Sequence, residues 1–346
     1  MTAPSPFQLT AGFSPIDESS ASQLLAESHG LTVQSIVRLA TERDDSFRIV
    51  TPRGTVVAKF AHPLDDPAAV LDQVSVLAEL ARDHDELPVQ RVLPSRDGAL
   101  VSRVPDAHGE FRVVRVLTFL DGELLGARPR TLTAMRTLGA FHARLAAAIA
   151  AIGTSRPALQ GSDTAWNLAR LDLYAAQLSA ISTPSLRDEV ARVIDRASDA
   201  VLPRLAALPA LLAHNDLHGD NVLVSTEPFG VTGVLDFGDM TRTPRVADLA
   251  IAASYARGCV SDERAPWDAA QAYASGYESV QPLTAVERTL LPELVLLRVA
   301  QRALLNSAIA AANPAAAPYA SRNLSGIARD LRELGARTPP SIGGTE

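Results

Sequence analysis

Apolar and polar positions alternate in short runs through the first third of the chain. Val33 to Leu39 alternates loosely, and Phe47 to Thr51 and Val56 to Phe60 follow. Arg53-Gly54, between the last two, has the composition of a hairpin turn. From Pro67 to Ala81 the apolar spacing changes to three and four, with Val70, Leu71, Val74, Leu77 and Leu80 on one side, which predicts a helix. Strand-like runs return at Val89 to Leu93, Leu100 to Val104 and Val113 to Leu120, and Asp121-Gly122 ends them. The pattern is that of a small sheet with one inserted helix.

Beyond Gly122 the helical period dominates. Thr131 to Ile152 carries Leu132, Met135, Leu138, His142, Leu145 and Ile149 at helical spacing. Leu168 to Ala180 and Ser185 to Leu205 read as further helices, the second starting at Ser185 with Asp188 three residues on. A strand-rich island runs from Leu211 to Phe237. From Val246 the chain reads as helical, with breaks expected at Pro292 and Pro314 and a frayed tail from Thr338. The expected fold class is α+β: a small β-rich lobe over residues 1–120 with a hinge at its end, and a larger helical lobe over 121–346.

Composition narrows the partners. With 346 residues, 47% of them hydrophobic, the chain can bury a large core. A net charge of -7 and no block of Lys/Arg argue against nucleic acid, while a cationic small molecule remains compatible. Cys259 is the single cysteine, so no internal disulfide can form, which fits a reducing compartment. Met1 to Ser20 does not read as a signal peptide, and no charge-free apolar run approaches the ~20 residues of a membrane span. A cytoplasmic protein with no membrane partner is the expectation.

The chemistry gathers in the island. It reads His214-Asn215-Asp216-Leu217-His218-Gly219-Asp220-Asn221, then the apolar run Val222-Leu223-Val224, and 15 residues after Asn221 comes Asp236-Phe237-Gly238-Asp239. Apolar residues on either side anchor short paired strands and leave the polar cluster in loops on a rigid base. Phosphoryl transfer requires a carboxylate to orient the attacking hydroxyl, and oxygen ligands for Mg²⁺ at the phosphates. Asp216 suits the first task, Asn221 and Asp236 the second. Asp220 is a rival carboxylate, and His218 and Asp220 read as polar loop residues.

His-x-Asp-x-x-x-x-Asn followed by Asp-Phe-Gly resembles the catalytic and metal loops of kinases. The His214-Asn215-Asp216-Leu217-His218 form lacks the Arg of protein kinases and is similar to the aminoglycoside phosphotransferase and choline kinase superfamily. Leu235 to Met240 and Pro244 to Ile251 most resemble its hydroxylysine kinase branch, including the kinase-like part of bacterial aminotransferase fusions. The resemblance implies a protein-kinase-like two-lobe fold and a Mg²⁺-dependent kinase using ATP or GTP.

Several residues take their expected roles from that resemblance. His214 braces the metal loop, and Asp248 ties down the catalytic-loop backbone or is a plain helix residue. Lys59 resembles the strand lysine at the nucleotide phosphates, its alternative being a solvent-facing residue. The position of the usual helix Glu falls on Gln73, which could accept a hydrogen bond from Lys59 but brings no charge. Glu42 to Phe47 replaces a Gly-rich loop, with Asp45 and Ser46 toward the phosphates. The Thr118 carbonyl and Leu120 N–H face the base, with Leu117 and Phe119 nearby. For the acceptor, Trp166, Asp239, Arg242 and Arg245 are candidates, with core packing or surface ion pairs as their alternatives.

The implied acceptor is a hydroxyl on a small amine-bearing molecule, hydroxylysine-like amino alcohols first, then choline, ethanolamine, homoserine, aminoglycosides or macrolides. A non-catalytic nucleotide-binding module is the rival of another class, disfavoured by the intact Lys59, Asp216, Asn221 and Asp236. A protein kinase is disfavoured by the missing Gly-rich loop and the absence of an Ala-Pro-Glu segment.

Overall fold

The computed structural model describes residues 14–336, apart from 40, 42–43, 107–108, 154–155, 157, 161–163, 313–316 and 323. The chain opens with a helix that the apolar pattern did not announce, α1 (Glu18–His29). It is defined by its ends: Asp17 accepts the Ser20 N–H, and Gly30 closes the helix at φ 69° with its N–H on the Ala26 and Leu25 carbonyls.

Strands β1 (Ser35–Leu39), β2 (Asp45–Thr51), β3 (Gly54–Phe60), β4 (Val92–Leu93), β5 (Ser102–Pro105) and β6 (Phe111–Thr118) form one antiparallel sheet. Its path runs β1-β2-β3-β6-β4, with β5 also on β6. Period-two alternation divides its faces. Phe47, Ile49, Val56, Ala58 and Phe60 join Ala21 and Leu25 of α1 in one apolar cluster. Ser46, Val57 and Lys59, of opposite parity, line a cleft on the other face.

Helix α2 (Pro67–Asp83) crosses from β3 to β4. Its Val76, Leu77 and Leu80 join the core of the helical lobe, so apolar packing ties the sheet to that lobe.

The helical lobe contains α3 (Leu132–Ile152), α4 (Pro184–Arg196), α5 (Leu202–Leu205), α6 (Arg245–Ala256), α7 (Asp268–Glu278), α8 (Ala285–Ala312), α9 (Ala317–Ser321) and α10 (Leu324–Gly335). Helices α3 and α7 touch backbone to backbone. A Cβ on Gly139 would lie 1.9 Å from the Tyr273 carbonyl oxygen, and one on Gly276 would lie 1.9 Å from that of Arg136. This approach sets His142 of α3 beside Tyr273 and Tyr277.

Several expected boundaries move. Leu168 to Ala180 is not an α-helix but two 3₁₀ segments, Leu171–Leu173 and Ala175–Ala180. Helix α4 starts one residue before Ser185, behind Thr183, because Pro184 takes the first helical position, where its missing N–H costs nothing. A π-helical turn, Ala197–Val201, separates α4 from α5. Pro292 does not break α8: Leu290, Leu291, Leu294 and Val295 around it are buried, and their packing outweighs one lost hydrogen bond. Pro314 and the tail from Thr338 lie outside the described residues. Helix α8 is long and apolar enough to cross a membrane, yet 61% of its most apolar stretch is buried inside the fold.

The island supplies three short strands, β8 (Ala210–Ala213), β9 (Val222–Thr226) and β10 (Phe229–Val234), and a fourth, β11 (Thr241–Pro244), follows just beyond it. A fifth, β7 (Glu123–Leu124), comes just after the hinge and pairs with β9. β8 pairs with β11 through Ala213 and Thr241, and β9 with β10 through Val222 and Val234. The loop from β8 to β9 and the loop from β10 to β11 therefore leave paired strands side by side.

Candidate active site

Those two loops carry Asp216 and Asp236. The Leu235 N–H donates to the Asn221 carbonyl at 2.9 Å, extending the ladder between them. Asn215 and Asp236 each adopt positive φ, 66° and 58°, a conformation Asn and Asp tolerate better than most residues. Strained backbone of this kind persists where its surroundings over-determine it, and the surroundings are visible. Asp248 Oδ1 accepts the Asn215 N–H at 2.8 Å, while its Oδ2 meets His142 Nε2 at 2.9 Å. Burial works to raise the Asp248 carboxyl, but His142 and the Asn215 N–H outweigh it and leave it below its ordinary value.

His214 lies between the loops. Its Nδ1 accepts the Asp216 N–H at 3.3 Å, its Nε2 faces the Leu235 carbonyl at 3.2 Å, and its ring packs edge-on to Phe237. These partners fit a neutral ring with the proton on Nε2, and burial, which lowers its basicity, favours that state.

Asp216 is held on both oxygens. Oδ1 accepts from Arg298 Nη2 at 3.3 Å, and Oδ2 accepts from Asn221 Nδ2 at 2.8 Å. His218 Nε2 also reaches Oδ2, at 3.2 Å, and the ring stacks on Tyr255. Burial pushes the Asp216 carboxyl up, but His218 and Arg298 more than offset this and keep it ionised. Asn221 spends its amide N–H groups on the Asp216 carboxylate and carbonyl. Its Oδ1 accepts no hydrogen bond from the described residues, and an amide oxygen of this kind could hold a cation.

Across the cleft, Lys59 Nζ donates to Asp236 Oδ1 at 2.8 Å. Partial burial would raise the Asp236 carboxyl, but Lys59 and then Arg115 hold it well below the usual carboxylate range. Ser46, Lys59 and Arg115 stand directly opposite one another across β2, β3 and β6. Two cations in register repel unless anions sit between or beside them. Here Asp236 meets Lys59, and Asp44 meets Arg115 at 2.6 Å. The Ser46 hydroxyl is buried without a hydrogen-bond partner among the described residues, at the edge of the same cleft. A row of one hydroxyl and two cations suits phosphate oxygens.

The cleft has a volume of about 1190 Å³ and brings together Ser46, Lys59, Phe119, Leu120, Trp166, Asp216, Asn221, Asp236 and Asp239. Gln73 and Leu117 line a small recess beside Lys59. Gln73 does not pair with Lys59; its Nε2 donates to the Gly238 carbonyl at 2.6 Å and so braces the loop between β10 and β11 instead. Thr118 is not among the cleft-lining residues, and its carbonyl accepts Gln90 Nε2 at 2.9 Å.

Three expected site residues lie elsewhere. Asp45 is turned into the small lobe, where it pairs with Arg38 and Arg112 and accepts the Ile16 N–H, because its parity on β2 opposes that of Ser46. Glu42 and Arg43 of the same loop lie outside the described residues. Arg242 donates to the Gly153 and Ala210 carbonyls. Arg245 forms a two-pronged pair with Glu287 at 2.7 and 2.8 Å, away from Asp216.

The sequence reasoning missed Arg298, His218, Tyr255 and Arg115. Arg298 and Arg115 had a signal, since each is a cation inside an apolar run, Leu296 to Ala300 and Val113 to Leu117. His218 stood two residues from Asp216, within reach across a tight loop. Nothing in the sequence marked Tyr255.

A model of the phosphotransferase enzyme family matches residues 35–283. The hydroxylysine kinase of Mus musculus is 26% identical over 327 residues, covering 87% of this chain and 85% of that protein. Among solved structures, an amicoumacin kinase in complex with AMP-PNP, Ca²⁺ and Ami superposes with a TM-score of 0.68 at 18% identity, over 93% of this chain and 94% of that one. A microcompartment-associated aminopropanol kinase gives 0.63 at 22% identity, over 92% and 98%. Both share the two-lobe kinase-like fold.

Proposed function

This chain belongs to the phosphotransferase enzyme family and is a small-molecule kinase that phosphorylates a hydroxyl group, and on that premise we propose that Asp216 orients the hydroxyl of a small amine-bearing acceptor toward the terminal phosphate of ATP or GTP. The observation that carries this reading is the double hold on Asp216 by Arg298 and Asn221, in the cleft that also contains Lys59 and Asp236. A carboxylate fixed on both sides can align a hydroxyl and take its proton as the new bond forms.

Lys59, Arg115 and the Ser46 hydroxyl bind and position the phosphates. The Leu120 N–H meets the base. Asn221 Oδ1 and the Asp236 carboxylate would hold Mg²⁺, which supplies neutralisation of phosphate charge; one amide and one carboxylate is a usual protein share for that ion. A hydroxylysine-like amino alcohol is the first acceptor, in keeping with the mouse relative, and the aminopropanol kinase likeness is compatible with a simpler amino alcohol.

The test is nucleotide turnover coupled to product detection over amino alcohols, hydroxy amino acids and antibiotics, with ATP and with GTP. The best acceptor should lose ~10²–10⁴-fold in kcat with Asp216→Asn, the usual worth of a general base, while Asp220→Asn loses far less. Near wild-type turnover by Asp216→Asn, or a dead Asp220→Asn, would overturn the assignment.

A further inference from the structure

Helix α8 carries Arg298, Arg302 and Asn306 at intervals of four, on one face, and all three line the cleft. Arg298 is committed: it serves Asp216, the Trp166 carbonyl and Gln301. Arg302 differs. Its guanidinium carbon stands 3.9 Å from the centre of the Tyr255 ring. Among the described residues it makes no hydrogen bond and no carboxylate comes within ion-pair distance of it. Nearby acids have other partners: Asp220 meets Arg322 at 3.3 Å, and Asp330 meets Arg257 and Arg329, each at 3.3 Å.

A stacked guanidinium is fixed in its plane by the ring and keeps the donors along its edge for a planar anion. The ring that holds it also stacks on His218, which contacts Asp216 Oδ2. Arg302 is therefore anchored to the same assembly as the catalytic carboxylate. In a chain of net charge -7, a guanidinium with no carboxylate of its own inside the reaction cleft is suited to a ligand's negative charge.

We propose that Arg302 is the specificity-determining residue of the acceptor site and binds a carboxylate of the acceptor. This rests on the phosphoryl-transfer reading above and narrows it, from amine-bearing alcohols to hydroxy amino acids. A carboxylate is favoured over a phosphate because one guanidinium fork matches its two oxygens. Four residues of helix separate Arg302 from Arg298, a rise of ~6 Å.

The experiment measures KM and kcat for hydroxylysine and homoserine, each against the amino alcohol left when its carboxylate is removed. Wild-type protein should favour at least one acid over its decarboxylated partner. Arg302→Gln should abolish that preference through a rise of about ten- to a hundredfold in KM for the acid, as expected for a lost hydrogen-bonded charge. Arg302→Lys, which keeps the charge but not the fork, should recover part of it. Equal use of acids and decarboxylated partners by wild-type protein, or an unchanged preference in Arg302→Gln, would overturn the proposal and leave the kinase reading standing. Failure to phosphorylate any hydroxyl compound would overturn both.

Discussion

Arg298 Nη2 donates to Asp216 Oδ1 at 3.3 Å, joining the middle of α8 to a loop 82 residues earlier in the chain. The arginine is 1% exposed, and the same side chain holds the Trp166 carbonyl and Gln301. It is positioned to fix the rotamer of Asp216 and to favour its charged form.

Arg298→Gln should therefore lower kcat by roughly 10–100-fold, the worth of one hydrogen bond to a charged group, with little change in nucleotide KM. A merely structural role would lower the melting temperature and leave the kcat of the folded fraction intact. Comparing kcat per active site with the melting curve separates the two.

The Lys59–Asp236 pair yields a second expectation. Lys59→Ala should raise nucleotide KM and lower kcat together, because phosphate positioning matters in both ground and transition states. Asp236→Ala should abolish turnover and weaken Mg²⁺-dependent nucleotide binding. Gln73→Ala should cost much less than either, since Gln73 bonds the Gly238 carbonyl and not Lys59. Calorimetry with and without Mg²⁺ checks this; unchanged Mg²⁺ dependence in folded Asp236→Ala would remove Asp236 from the metal site.

Asp248 gives a pH dependence of stability. Its carboxyl titrates lower in the folded protein than in the unfolded chain. The stabilisation from its ionised form is thus complete above the unfolded value of ~3.9 and is lost as pH falls through the lower, folded value. Asp248→Asn should be less stable at pH 7 by about 3 kcal/mol, the scale of breaking a buried pair. It should also lose less stability than wild type on acidification. Melting temperatures that fall in parallel for the two proteins below about pH 5 would show that Asp248 is not charged in the fold.

Much of this was legible in the order of residues. Asp216, Asn221 and Asp236 lie within 21 positions, and the apolar runs beside them announce the strands that hold the loops. Lys59 was singled out by its resemblance to a strand lysine, and local strand parity agrees only in part: Val56, Ala58 and Phe60 face the core, so Lys59 cannot. The same parity, applied one strand earlier, would have separated Asp45 from Ser46. Helix α1 escaped because few of its residues are buried and its limits come from Asp17 and Gly30 rather than an apolar stripe.

The sequence by itself determined the class of fold and the grouping of Asp216, Asn221 and Asp236 on neighbouring loops, because paired strands and the loops between them are made by near neighbours whose geometry comes from backbone periodicity. Only the tertiary structure decided which cations serve them. Arg298 and Arg302 reach the cleft because α8 packs on α6, while Arg242 and Arg245, closer in sequence to Asp236, are drawn off by the Gly153 carbonyl and by Glu287. A long side chain pairs with whatever acceptor packing brings within a few ångströms, and that choice is not written in its distance along the chain.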